Sequence, residues 1–337
     1  MTQSPCFIIA EMSANHNHDF AKAKRMVRIA KECGADAIKL QTYTADTMTI
    51  DCDNRYFRIN KGLWKGETLY SLYKKAAMPW EWQPKLKAYA DKIGITLFST
   101  AFDKTSVDFL EKMKVPVHKI ASFELVDIPL IRYMASKKKP IIMSTGMASL
   151  DEIRLAVSTA RKAGCKQLAL LKCTSAYPAP LDEINLAAMQ TLANEFKVPV
   201  GLSDHSMEPL VPVTAVAMGA CIIEKHFTES RKDGGPDAAF SLEPDELVLM
   251  VKSIRKLEKI KGLDTIKTGK HEAQNLNFRK SLFVTAEMKK GERFSHENVR
   301  SIRPGHGLLP RFMTDVIGKK ASMNIPRGTP LLKGHMA

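Results

Sequence analysis

One unit recurs along this chain: a helical stretch closed by a glycine, then a short apolar run. KECGADAIKL, DKIGITLFS, RKAGCKQLALLK and AMGACIIEKH are clear copies of it. Glycine just past a helix end takes the left-handed backbone that stops the helix. The β-rich run that follows suits a parallel strand buried on both faces. Counted from the start, eight strands are expected, at 7–11, 36–41, 95–99, 117–121, 140–144, 168–172, 199–203 and 221–225. Helices are expected between them. One follows a capping box made by Ser149 and Glu152. The last, near 244–261, opens on Pro244, Asp245 and Glu246 and keeps Leu247, Met250, Val251, Ile254 and Leu257 on one face. Eight βα units predict an α/β chain closed into a (β/α)8 TIM barrel, not a doubly wound sheet.

Two stretches depart from the repeat. Residues 42–80 form a long insertion with Tyr, Trp and Gly, the kind of segment that lies over a functional site. After Gly262 the pattern changes: 263–280 is polar and reads as a linker, and 281–337 reads as short strands and turns. The expected organisation is a catalytic barrel over 1–262, a linker over 263–280 and a small β-rich domain over 281–337. A domain of that size has a thin core and leans on a partner surface.

The net charge of +15 admits a nucleic acid or an anionic small molecule as partner. Residues 262–337 carry 14 Lys/Arg against 6 Asp/Glu, but dispersed and with little aromatic interleaving. That argues against nucleic acid and for an anionic substrate. No run approaches the length of a membrane span, and no basic segment precedes an apolar one at the start. The six cysteines contain no CxxC pair. They read as reduced thiols in a cytoplasmic protein, small buried side chains rather than nucleophiles.

Barrel enzymes build their sites at the C-terminal ends of the strands. Here all eight strands end in polar residues while their bodies are apolar. The ends supply Glu11, Lys39, Ser99, Lys119 with Ser122 and Glu124, Ser144, Lys172 with Ser175 and Tyr177, Ser203 with His205, and His226. His205 and His226 end neighbouring strands and make a candidate metal pair; the alternative is two structural histidines satisfied by hydrogen bonds. Lys39, Lys119 and Lys172 lie on alternate strands, where three ammonium groups would bind phosphate or carboxylate, unless each is merely solvated. Lys225 and His226 are adjacent, so only one points inward, and His226 is chosen. Ser144-Thr145-Gly146 before a capped helix favours phosphate, though such a run is also ordinary loop chemistry. His16-Asn17-His18 resembles the HxH of metal-dependent amidohydrolases, but the later strands lack that fold's other histidines and aspartate.

The motifs KIASFE (119–124), STGM (144–147), GLSDHS (201–206), EKHF (224–227) and GPD (235–237) are similar, in the same order, to those of the sialic acid synthase family. The resemblance covers nearly the whole chain. RPGHG at 303–307 resembles the family's small antifreeze-like (SAF) domain. Within the family, residues 62–82 and 234–246 look most like the pseudaminic acid synthases. Ser175 stands where the N-acetylneuraminate enzymes usually carry Asn.

The resemblance implies a condensation of phosphoenolpyruvate, an amino sugar and water. It implies that His205 and His226 bind a divalent metal (Mn²⁺, Mg²⁺ or Co²⁺). Lys39, Lys119, Ser122, Ser144 and Ser203 would hold phosphoenolpyruvate, with Ser175 a weaker contact. Glu11, Glu124, Tyr177 and Asp237 would face the sugar, with Glu11, Glu124 and His226 catalytic. Arg303 would reach in from the other subunit of a domain-swapped homodimer.

Overall fold

The structure is a computed structural model that describes residues 4–262 and 265–337. It divides into two compact units, Met1–Gly262 and Leu263–Ala337. The first is a closed barrel of eight parallel strands in sequence order: β1 (Phe7–Glu11), β2 (Ala37–Thr42), β3 (Thr96–Ala101), β4 (His118–Ile120), β5 (Ile141–Ser144), β6 (Leu168–Cys173), β7 (Val200–Asp204) and β8 (Ile222–His226). β8 closes on β1 with Glu11 opposite His226. All eight expected strands are present: β1 coincides, two differ by a residue at one end, and the other five differ at both ends by one or two residues. The glycine-ended helices also form as read: Gln83–Ile93 stops at Gly94, whose φ is 72°. The capping box at Ser149 is made, with Ser149 Oγ accepting from the Glu152 N–H and Glu152 reaching back to the Ser149 N–H.

Two apolar layers result. Alternate strand residues face the helices, where Ile8, Ile38, Leu97 and Ile223 are fully buried against Met26, Leu86 and Leu247. The other set fills the barrel interior, and Phe98 closes its middle with no exposed surface. Period-two alternation decides which polar residues reach the centre. On β8, Glu224 and His226 share the inner face. Lys225 points outward, where its ammonium pairs with Asp204 at 2.6 Å and also donates to the Ser206 carbonyl. Both ends of that pair are buried. The choice of His226 over Lys225 matches this geometry.

The insertion is not structureless. It carries helices Ala45–Met48 and Leu69–Ala76, each opened by a threonine capping box, and a bridge from Arg58 to Thr68.

The second unit pairs β9 (Ser281–Val284) antiparallel with β10 (Val299–Ile302). Leu282, Val284, Phe294, Val299 and Leu331 form its core. The stretch read as a linker contains a helix, Lys270–Ala273, and a 3-10 turn, Gln274–Phe278, and belongs to this unit. Sequence polarity hid these elements because none of their residues is buried.

Candidate active site

At the C-terminal end of the barrel the inner faces of β1, β2, β4 and β8 bring four charged side chains together. Lys39 Nζ lies 2.6 Å from Glu11 Oε2 and 3.6 Å from Glu224 Oε1, and donates to Thr100 Oγ1. Lys119 Nζ donates to Ser144 Oγ at 2.7 Å and the Ile120 carbonyl at 3.0 Å, with Glu224 Oε1 3.8 Å away. Ser203 donates to that same Oε1 at 3.2 Å. All four charged residues are at least 94 % buried.

Burial opposes charge on each of them, and the neighbours decide which yields. Glu11 is lifted to about 7 by burial even against Lys39. Burial lowers the pKa of Lys119, with Glu224 opposing. For Lys39 the two carboxylates outweigh burial and hold the ammonium above its ordinary range. For Glu224, Lys119 and Lys39 together outweigh burial and hold the carboxylate ionised.

Lys172 does not join them. It lies on the outer face of β6 and donates to the Cys173 carbonyl and Thr174 Oγ1. The inner position is Cys173, whose Sγ lies 3.6 Å from Ser175 Oγ and 3.7 Å from His205 Nδ1. Counting alternate strands gave the right layer but the wrong face. Cys173 is also more than a small apolar filler. Burial pushes its thiol up, but the His205 contact outweighs this and draws it to about 7.

His205 and His226 stand together, ring centroids 5.2 Å apart. His205 Nδ1 donates to the Thr174 carbonyl at 3.0 Å, and the Cys173 thiol outweighs burial and raises the pKa of the ring; when the ring is neutral, Nε2 is the nitrogen left to bind a ligand. His226 is pushed well below its ordinary pKa by burial and by the charges of His205 and Lys39, so its ring is neutral. Its buried Nδ1 has no hydrogen-bond partner. A neutral ring and an unpartnered buried nitrogen fit a metal ligand. Among the described residues no cluster of three or more His, Cys, Asp or Glu could hold a metal, so any ion here would complete its shell with water or substrate oxygens.

An aromatic wall encloses the pair. The Tyr177 ring centroid lies 4.5 Å from that of His205, and the Phe240 centroid lies 4.9 Å from that of His226 and 5.0 Å from that of Tyr177. Trp64, from the insertion, packs 5.9 Å from Tyr177 and donates its indole N–H to the Pro236 carbonyl. The insertion does reach this site. Asp237 accepts from Ser13 Oγ, which ties its loop to the end of β1. Asn17 grips the same loop through the Asp233 and Gly234 carbonyls. Gly235 permits that contact: its φ is 116°, and a Cβ there would sit 2.4 Å from Asn17 Oδ1.

The serines line the far side. Gly146 donates its N–H to Ser122 Oγ, and a Cβ on Gly146 would sit 2.2 Å from Ser175 Oγ. Only glycine lets backbone N–H and two hydroxyls crowd this corner. Glu124, on the turn Ser122–Val126, is lifted by burial to about 7 against Lys119, and its Oε2 has no partner.

His16 and His18 are engaged elsewhere. His16 packs edge-on to Trp82, with Nδ1 accepting from the His18 backbone, and His18 Nε2 donates to the Lys75 carbonyl. An amidohydrolase-type centre with Lys119 is therefore not assembled. Arg303 lies in the second unit, exposed, beside a cavity of about 490 Å³ that Arg279 and Lys280 also line. Glu224, Cys173, Phe240 and Trp64 were not singled out from sequence. Alternation from His226 would have found Glu224.

A model of the NeuB family matches residues 26–265, and a model of the SAF domain matches 279–336. The pseudaminic acid synthase of Campylobacter jejuni serotype O:2 is 42 % identical over 99 % of this chain and 97 % of its own length. The N,N'-diacetyllegionaminic acid synthase of Legionella pneumophila is 41 % identical over 98 % of this chain and 94 % of its own. The crystal structure of the N-acetylneuraminic acid synthetase of Leptospira borgpetersenii, in complex with citrate, superposes with a TM-score of 0.73 at 34 % identity, covering 82 % of this chain and 92 % of that one.

Proposed function

The chain belongs to the NeuB family, and from that premise we propose that it is a pseudaminic acid synthase. It joins phosphoenolpyruvate, open-chain 2,4-diacetamido-2,4,6-trideoxy-altrose and water, and releases pseudaminate and phosphate. The observation that carries this reading is the pairing of two buried ammonium groups with two imidazoles at one barrel end. Lys39 and Lys119, with Ser122, Ser144, Ser175 and Ser203, neutralise and grip the phosphate and carboxylate of phosphoenolpyruvate. Glu11, Glu124, Tyr177 and Asp237 hold the sugar, so that its aldehyde carbon meets the phosphoenolpyruvate C3 in one orientation. His205 and His226 hold a divalent cation such as Mn²⁺, which when bound supplies a Lewis acid at the aldehyde oxygen. Glu124, with its carboxyl near neutrality and one oxygen unpaired, takes the proton of the water that adds to C2.

Arg303 completes the sugar contacts from a second subunit in a domain-swapped homodimer. The free thiols suit a reducing compartment, and we assign the reaction to the cytoplasm. No described helix is long and apolar enough to cross a membrane.

A legionaminate-type sugar is the competing substrate, since that relative is nearly as similar. The test is phosphate release from phosphoenolpyruvate across a panel of amino sugars, with products identified by mass spectrometry. Release with the 2,4-diacetamido-altrose sugar, and none without a sugar, is expected. Turnover only with the legionaminate precursor would move the specificity, and no phosphate with any sugar would overturn the reading.

A further inference from the structure

The reading above leaves one buried charge without a task. Glu224 is 6 % exposed, and its Oε1 lies within 4 Å of both Lys39 Nζ and Lys119 Nζ while accepting from Ser203. Lys39 has a second acid, Glu11, in direct contact. Lys119 has none: among the described residues Glu224 is its one carboxylate within ion-pair distance. The other bonds of the two ammonium groups go to neutral oxygens of Thr100, Ser144 and Ile120. Those oxygens satisfy donors but do not offset like-charge repulsion between two cations in a water-poor interior.

We propose that Glu224 is a positioning residue, the counter-charge whose Oε1 holds Lys39 and Lys119 convergent so that the phosphate of phosphoenolpyruvate meets both at once. This rests on the phosphoenolpyruvate reading of the pocket. Before substrate arrives, Glu224 occupies the electrostatic place between the lysines. Ser203 donates to the same Oε1 and fixes the orientation of the carboxylate. Without it, Lys119 would be a buried cation with neutral partners only, and would swing off Ser144 or give up its proton.

The test is calorimetric titration of the full chain with phosphoenolpyruvate and with inorganic phosphate, for the wild type, Glu224→Gln and Glu224→Asp. Gln keeps the volume and removes the charge; Asp keeps the charge one methylene short. Gln is expected to weaken both anions by about tenfold or more, and Asp to recover part of that loss. KM for phosphoenolpyruvate should rise in step, while KM for the sugar and the content of bound Mn²⁺ stay within about twofold. A crystal structure of the Gln variant should show Lys119 withdrawn from Ser144. Anion binding by Glu224→Gln as tight as wild type, or equal loss of sugar and phosphoenolpyruvate, would overturn the role of Glu224 alone. Failure of the wild type itself to bind phosphoenolpyruvate would overturn the synthase reading and this inference with it.

Discussion

The two ends of the barrel are built by the same eight strands and could hardly differ more. At the lower end the strands begin around a hollow of about 760 Å³, walled by Phe7, Val117, Ile142, Ala169 and the prolines 116, 140 and 199. Arg161, Lys166 and Lys197 also line it, but no Asp or Glu does, so no buried ion pair forms there. At the upper end the inner faces carry Glu11, Lys39, Lys119 and Glu224, buried and paired with one another, beside the buried ring of His226. A fold that needed only stability would place apolar side chains at both ends. The asymmetry separates the half of the barrel that holds the chain together from the half that performs chemistry.

If that division is right, substitutions at the two ends should fail in different currencies. The largest effect is expected from His226→Ala. Its kcat/KM should fall at least about a thousandfold, as removing a ligand to the electrophile requires, with the melting temperature nearly unchanged. Steady-state kinetics and circular dichroism check both halves, and full turnover by the variant in the presence of a chelator would exclude the metal role.

Next comes the division between the two units. His226→Ala and Arg303→Ala, each nearly inactive alone, should regain about a quarter of wild-type activity when unfolded and refolded together, if Arg303 serves the neighbouring barrel. No regain would place both residues in one subunit's site.

Smaller is the loss in Glu124→Gln, about a hundredfold in kcat. Because the Glu124 carboxyl is raised to about 7, the wild-type rate should fall as pH drops through that value and the carboxylate takes up its proton. The Gln variant should lose this limb, and a profile unchanged by it would assign the limb to another group.

The smallest catalytic effect is expected at the lower end. Ile142→Ala should cost about 2 kcal/mol of stability in urea unfolding while kcat/KM stays within about twofold. A large catalytic loss there would erase the distinction.

Much of this was legible in the sequence because glycine-stopped helices and β-branched runs leave periodic traces. The strand ends could be read because charged residues are rare in barrel interiors. What escaped did so for identifiable reasons. Lys172 was misplaced because position along a strand does not state which face a residue occupies; one step further lies the inward Cys173. Glu224 was passed over because it sits within the run IIEKH, where Lys225 and His226 drew notice first. Trp64 and Phe240 reach the histidines from loops, and no local period reports a contact between loops. The helix Lys270–Ala273 lies in a fully exposed stretch, so no apolar face announced it.

The outward Lys225–Asp204 pair has a consequence for accuracy. Residues 225 and 226 hang on opposite sides of one strand, and a slip of a single position in β8 would exchange them. An ammonium group would replace a neutral ring on the inner face, and an imidazole would face Asp204 among the helices. Both errors are costly and both are made by the same displacement. Alignment of the inward His226 ring is therefore policed from behind the wall, by a pair that faces the helices.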